Sequence, residues 1–505
     1  MASQVISPAF KAESYWDLVI RQYRRNRLAV ASLCFVLFLF LIAIGAPFLA
    51  NNRPLVLVGS FRTVYSDRFE EWKFGGHPEF IAALRAWQQT SSPEPVRQIA
   101  EHLRIVERQI GYLASQLSDE DGARLREYLA AYEAGAASAM AEDRVQTASQ
   151  LTALETNFQA ISRDFDPASV TFVERLYFPA LAALTATDFF FITLAVFLPL
   201  LRRIRRLLPA AWREGWVHAV LAVFLAATLL AVLRSGRQEV FETLDYKTQV
   251  LNGGISASLA LFPPVAFGIN EAHLVDKYLP PGSRYWMGTD GNGRDLLTRM
   301  IWGSRISLSV GFVAVAIYVS IGVLVGTMAG YFRGWVDIVL SRLIEIVICF
   351  PAFFLILAVL AFLQPSIFNI MIVIGITGWV TEARLVRGEF LRLADQEFVL
   401  AAKGLGVSEW RIIFRHILPN GLAPLLVAAS FGVASAILIE SSLSFLGFGI
   451  SVPTPSWGGI LNEARENFRY WWITIFPGLA IFSTVTAYNL VGEGVRDAID
   501  PRLKV

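Results

Sequence analysis

The stretch GTDGNGRD, Gly288–Asp295, spaces its glycines as a phosphate-cradling loop does, G-x-x-x-x-G. Such a loop needs a lysine after the second glycine and then a hydroxyl residue for Mg²⁺. Here those positions hold Arg294 and Asp295. A carboxylate at the hydroxyl position would repel phosphate, and no strand precedes the loop, so nucleotide binding is not expected there. No full phosphate loop occurs elsewhere; if ATP drives this protein, another chain hydrolyses it. The histidines His77, His102, His218, His273 and His416 are scattered, without H-E-x-x-H, and there is no C-x-x-C. Nothing resembles a G-x-S-x-G nucleophile elbow. The residues therefore predict no catalysis, no cofactor and no metal.

A second constellation is mechanical rather than catalytic. In EFVLAAKGLGVSEWRIIFRHILPN, Glu397–Asn420, Asp395 is placed to cap a helix over Gln396–Leu405 that Gly406 ends in the left-handed conformation. Ser408 is placed to cap a second helix over Glu409–Ile417, with Pro419 as its stop. Ala401, Ala402 and Gly404 give the first helix a surface of small side chains that another backbone can approach. Arg411 and Arg415, four apart, share one face of the second. Two readings stand: a docking surface for another protein, or an ordinary connector at the membrane interface.

The elements that must hold these residues are apolar. The chain is 55% hydrophobic with only 17% charged residues, against about a quarter charged in soluble domains. That excess lies in long runs, so the expected class is an all-α polytopic membrane protein. Spans are expected near 28–50, 180–201, 216–233, 306–332, 338–363, 367–386, 422–440 and 473–492. The first is too long for a signal-peptide core, and the second is weakened by Asp188. Cys34 and Cys349 fall within apolar runs, so no disulfide is expected, and the net charge of +2 gives no reason to expect nucleic acid.

Basic residues in short loops set orientation. With Arg21, Arg24, Arg25 and Arg27 inside, parity also puts RRIRR, Arg213, the 387–421 loop and the tail with Arg496, Arg502 and Lys504 inside. Both termini are then cytoplasmic. The resulting plan is an N-terminal segment and first span (1–50), an external, mainly helical insert (51–179), and an extra membrane hairpin (180–233). An external loop (234–305) and a core (306–505) follow. Ile99, Leu103, Val106, Ile110, Leu113 and Leu117 predict a helical hairpin over 93–165, turning at SDEDG. Its apolar stripe is covered either by the insert itself or by a partner. Within the spans, Arg342 either pairs with Glu345 or snorkels, and Glu440 either caps a helix or lines a pathway.

The loop at 397–420 resembles the cytoplasmic EAA loop of bacterial ABC importer permeases, E-A-A, three residues, G, nine residues, I-x-L-P. Ala401, Ala402, Gly406, Leu418 and Pro419 match it, while Leu400 and His416 replace the glutamate and isoleucine. Either Glu397, one turn earlier, supplies the missing charge or the charge is dispensable. Further, GTDGNGRDLLTRMIWGSRISL is similar to the G-T-D-x-x-G-R-D-x-x-x-R-x-x-x-G-x-R-x-S-L block of the C-type permeases for dipeptides, oligopeptides and nickel. Gly288, Asp290, Gly293, Arg294, Asp295, Arg299 and Arg305 carry that match. The stretches 442–461 and 471–504 resemble the same subfamily's closing blocks, so the likeness covers 284–505 and the first span.

The resemblance implies the type I importer fold, with the insert and one pair of spans as additions. An even number of added spans leaves the orientation downstream unchanged. It also implies a second permease, two ABC ATPase subunits, an external substrate-binding protein and a lipid environment. In that reading Ala401, Ala402 and Gly406 fill an ATPase groove and Arg411 and Arg415 add rim charge. A secondary transporter would sooner show midplane charges and an internal repeat. A receptor would need an internal signalling domain, and the internal segments here are short.

Overall fold

Caps and prolines decide where the long helices of this chain begin and bend. The structure is a computed structural model and describes residues 15–89, 94–184, 188, 192, 245–449, 454–465 and 467–499. It divides into two compact units, Met1–Ala50 with Phe267–Val505, and Asn51–Ala266. In the first unit, α1 (Tyr15–Arg25) ends in Arg24 and Arg25. Asn26 then caps α2 (Arg27–Leu49), accepting from the Ala29 amide at 3.1 Å. α2 is the expected first span.

The second unit contains strands as well as the expected helices. β1 (Val56–Phe61) is the middle strand of an antiparallel sheet, between β2 (Arg175–Tyr177) and β3 (Ile255–Leu261). Helices α3 (Arg62–Glu71), α4 (His77–Gln89), α5 (Glu94–Gln116), α6 (Asp119–Met140) and α7 (Arg144–Asp164) pack beside one another. Short helices α8 (Pro179–Ala182) and α9 (Tyr246–Leu251) complete it. The expected hairpin is thus part of a larger bundle, and SDEDG is a helix start: the Ser118 hydroxyl accepts from the Asp121 amide and caps α6. The α5 stripe of Ile99, Val106, Ile110 and Leu113 is buried against Tyr65, Trp72, Phe80 and Tyr132 of the same unit. The stripe is therefore covered without a partner. The segment 234–305, expected as one loop, is shared between the units, since β3 belongs to the sheet. The expected spans 180–201 and 216–233 lie outside the described residues, α8 and a few neighbours excepted.

The first unit resumes with α10 (Leu296–Phe332), which starts ten residues before the expected 306. Asp295 caps it, accepting from the Thr298 amide at 2.7 Å, and the polar turn that follows escapes a hydropathy reading. The run expected as one span at 338–363 is two helices, α11 (Gly334–Ile348) and α12 (Ala352–Ala361), bent by 77°. Pro351 sits at the break, where its ring disfavours a helical residue before it. α13 (Ile367–Gly378) and α14 (Val380–Ala394) form a second bent pair, at 41°. Two short helices, α15 (Glu397–Gly404) and α16 (Glu409–Arg411), lead to α17 (Leu418–Phe445). α18 (Trp457–Ala464) and α19 (Trp471–Ile499) close the chain.

Gly322, Gly326 and Gly330 recur every fourth residue on the face of α10 that meets α14. A Cβ on Gly326 would stand 2.5 Å from the Ala383 carbonyl oxygen and 2.7 Å from the Val386 Cβ. One on Gly330 would stand 2.7 Å from both the Arg387 carbonyl oxygen and the Phe390 Cβ. Small residues at this spacing let two membrane helices touch backbone to backbone.

Two outcomes follow. Gly326→Val forces α10 and α14 apart and costs about 1–3 kcal/mol of overpacking, read as a lower thermal midpoint in detergent. Gly388→Ala on α14, with nothing within 4 Å of its Cβ position, leaves that midpoint unchanged. In the second unit, burial pushes the His77 imidazole down to about 4, and its Nδ1 meets the Tyr132 hydroxyl at 2.6 Å. An unfolded chain takes up that proton near 6.5, so the neutral ring stabilises fully above 6.5. This contribution drains away toward pH 4, by about 3 kcal/mol in all. An acid titration of the full chain by tryptophan fluorescence shows this loss, and His77→Asn flattens it.

Candidate functional site

The loop between α14 and α17 is built on a Schellman turn. Gly406 takes φ +70°, the Val407 amide donates to the Ala402 carbonyl at 3.1 Å, and the Gly406 amide to Lys403 at 3.0 Å. Three expectations are corrected. The residue capping α15 is Gln396, without a side-chain hydrogen bond, because Asp395 is drawn to Arg333 at 2.8 Å. That bond holds the Asp395 carboxyl below the usual carboxylate range. Ser408 makes no capping side-chain bond. Nor does Pro419 stop the second helix: a π turn over Ile412–Ile417 carries it into α17 with Pro419 in the first turn, where a missing N–H is harmless.

Side chains tie this loop to the end of α10. Arg333, at φ +54°, donates to the Leu391 carbonyl as well as to Asp395. The Tyr331 hydroxyl donates to Glu409, and the Lys403 ammonium lies 4.9 Å from the Tyr331 ring. Arg387 of α14 grips Asp337 of α11 with two bonds of 2.5 and 2.7 Å. Inside the loop, Val399 and Ala402 are buried on Ile412, Ile413 and Ile417. Ala402 therefore seats α15 on the second helix and is turned away from solvent. Outside, Glu397, Leu400, Ala401, Gly404, Leu405, Gly406, Trp410, Arg411, Phe414 and Arg415 are exposed, Leu405 at 83%. Trp410 and Phe414 stack at 6.0 Å. These aromatics escaped the sequence reading, although their spacing of four, against the inward Ile413 and Ile417, marks an outward apolar face.

The second constellation is a structural staple. Asp290, fully buried, accepts from Arg294 Nε at 2.7 Å and Arg299 Nη1 at 2.6 Å. Both arginines also reach Glu463 of α18, Arg299 with two bonds of 2.6 Å and Arg294 at 3.1 Å. Gly288 and Gly293 take φ near +80° and +74°, and Asp295 is the α10 cap. Arg305 stands apart, over the Trp302 ring at 5.1 Å. The basic groups that would meet phosphate are thus engaged by carboxylates. Glu463 could not be foreseen, lying 164 residues from Arg299.

Of the remaining charges, Arg342 pairs with Glu345 at 2.5 Å in the open. Glu440 is sealed, accepting from Ser444 at 2.8 Å and from Ser307 and Ser441 at 3.4 Å, so it neither caps a helix nor lines a pathway. Glu382 of α14, unnoticed in the sequence, is 6% exposed and borders a cavity.

Residues 322–505 match the family described as the binding-protein-dependent transport system inner membrane component. Residues 14–59 match the N-terminal transmembrane domain of oligopeptide transport permease C. The two matches leave residues 60–321 between them, which include most of the second unit. A dipeptide transport system permease protein of Alkalihalophilus pseudofirmus is 40% identical over 49% of this chain and 82% of its own. A glutathione transport system permease protein of Pectobacterium atrosepticum is 41% identical over 44% and 75%. The oligopeptide transport system permease protein of Bacillus subtilis is 36% identical over 49% and 82%. Among solved structures, an inward-facing MetNI methionine ABC transporter aligns over 41% of this chain and 96% of its own at 16% identity and a TM-score of 0.35, too slight a likeness to build on.

Removing one carboxylate from the staple leaves buried guanidinium charge without its partner. Asp290→Ala is expected to cost about 3–5 kcal/mol, read as thermal unfolding in detergent. Glu463→Gln costs less, since that side chain is 28% exposed and keeps an acceptor.

Proposed function

The chain belongs to the family of binding-protein-dependent transport system inner membrane components, and on that premise we propose that it carries peptides inward through the loop-driven motion of its spans. It is a permease subunit of an ABC importer, a multi-pass protein of the bacterial inner membrane. Such a subunit is not itself an enzyme and works with ATPase subunits and a second permease. The secondary-transporter and receptor alternatives are not favoured by this membership.

In the proposed assembly two ABC subunits supply the hydrolysis, since this chain offers no phosphate loop of its own. An external substrate-binding protein delivers the cargo, and lipid surrounds the spans. Both termini and the 387–421 loop face the cytoplasm. The relatives named for dipeptides, oligopeptides and glutathione all carry peptide bonds in their cargo, which supports the substrate class.

The observation that carries the docking reading is the exposed apolar ledge of Leu400, Leu405, Trp410 and Phe414. An exposed apolar patch rimmed by charge marks a protein contact, and here Glu397, Arg411 and Arg415 form the rim. Ala401, Gly404 and Gly406 leave room on that ledge for a partner backbone, while buried Ala402 seats it from within and exposed Pro419 stands in the first turn of α17. The ledge is fastened to α14, so an ATPase pair that closes would move the span as a rigid body.

Leu405→Asp places a charge on the ledge without touching the core. It is expected to leave thermal stability within about 0.5 kcal/mol, as exposed substitutions do, while abolishing substrate-stimulated ATP hydrolysis in the reconstituted transporter. Full stimulation with the variant would count against docking through this ledge.

A further inference from the structure

We propose that the cavity between α10, α12, α13, α14 and α17 is a subsite of the transport path that receives an ammonium group, with Glu382 as its counter-charge. The inference rests on the permease reading and adds to it the chemistry of one position. The cavity has a volume of about 370 Å³ and is bordered by Tyr318, Thr377, Thr381, Glu382, Gly432 and Ser435. That is room for the amino end of a small peptide. Glu382 is 6% exposed, and its Oε2 has no hydrogen-bond partner among the described residues. Among the described residues no lysine, arginine or histidine borders the cavity. Of the arginines that follow Glu382 on α14, Arg384 is exposed and does not border the cavity, and Arg387 is committed to Asp337.

Glu382 gives the site its sign, and two of the hydroxyls agree with it. Thr377 Oγ1 donates to the Val373 carbonyl at 2.8 Å, and Ser435 Oγ donates to the Phe431 carbonyl at 3.2 Å. With those protons spent on the backbone, both oxygens offer lone pairs to the cavity. An ammonium brings three donors and no acceptor, so it matches two hydroxyl acceptors and a carboxylate. The Tyr318 and Thr381 hydroxyls can donate as well as accept, but a carboxylate or phosphate would face Glu382 with no cation among the described residues bordering the cavity to offset the repulsion. Glu440 shows the other way of keeping a carboxylate among these helices, enclosed by serine donors. Glu382 has no such donor on Oε2 among the described residues, and a charged acid at membrane depth is costly unless it takes up a proton or a cation meets it.

A hydrophobic carbodiimide enters bilayers and modifies carboxyl groups in apolar surroundings. With the full chain in lipid vesicles, peptide mass spectrometry should find Glu382 modified and the sealed Glu440 spared. Alanyl-alanine should slow the Glu382 reaction about tenfold at roughly ten times its half-protecting concentration, by mass action, and N-acetyl-alanyl-alanine should not. Protection by Nα-acetyl-lysinamide as well would extend the subsite to side-chain ammonium groups; its failure would confine it to the peptide amino terminus. Equal protection by the acetylated dipeptide overturns the proposal, and so does an unreactive Glu382. In the assembled transporter, Glu382→Gln should lower uptake of alanyl-alanine relative to its acetylated form about tenfold, the worth of one charge-assisted hydrogen bond. A merely structural role would lower both alike. Protection of Glu382 in a chain that fails to couple to ATP hydrolysis would leave the subsite standing and count against the docking reading instead.

Discussion

The close approach of α10 and α14 governs the first unit. Lipid gives two apolar helices no hydrophobic reason to associate, so their contact depends on dispersion between surfaces that fit. Three glycines four residues apart supply the fit: Gly322 lies under Glu382 and Ala383, Gly326 under Ala383 and Val386, and Gly330 under Arg387 and Phe390. The seam therefore runs along α14 from the cavity acid to the turns just before the loop. At its far end Arg333 and Tyr331, the residues beyond the last glycine, reach across to Asp395 and Glu409. The loop thus continues a helix contact and is no free connector.

What could be read from the sequence was whatever local physics decides. Long apolar runs gave the first, fourth, seventh and eighth spans, and Gly406 was readable as a left-handed residue because few other side chains tolerate that conformation. The resemblance to C-type permeases rested on blocks that are themselves local. Contacts between distant residues were not readable: Glu463 closing on Arg294 and Arg299, Arg333 taking Asp395 from its capping position, or β3 returning to β1. The bend at Pro351 was hidden because hydropathy counts proline by its polarity rather than its lost N–H. The glycine spacing was in plain view, but a run scored for apolarity conceals its small residues.

The buried carboxylates of the first unit separate into kinds by what surrounds them. Asp290 has two arginines, so its charge is neutralised within the fold and it fastens α18 to the start of α10. Glu440 has hydroxyls, which stabilise it by hydrogen bonding without a counter-charge. Glu382 borders empty volume. Burial alone made these three alike, and only the identity of the nearest donors distinguishes a staple, a sealed packing residue and a position open to cargo.

Those distinctions matter because α14 holds both ends of the proposed coupling. A force on the ledge of Leu405 and Trp410 enters through the buried contacts of Val399 and Ala402 on Ile412 and Ile413, which leave α15 little freedom to move alone. The seam prevents α14 from sliding independently of α10, since any translation drives Cβ atoms into a backbone separated by less than a side-chain width. Motion is then available at the bends, at Trp379 between α13 and α14 and at Pro351 between α11 and α12. Both bends adjoin the helices that border the cavity, so a loop displaced as a body would alter the space in front of Glu382 before it altered the packed seam behind it.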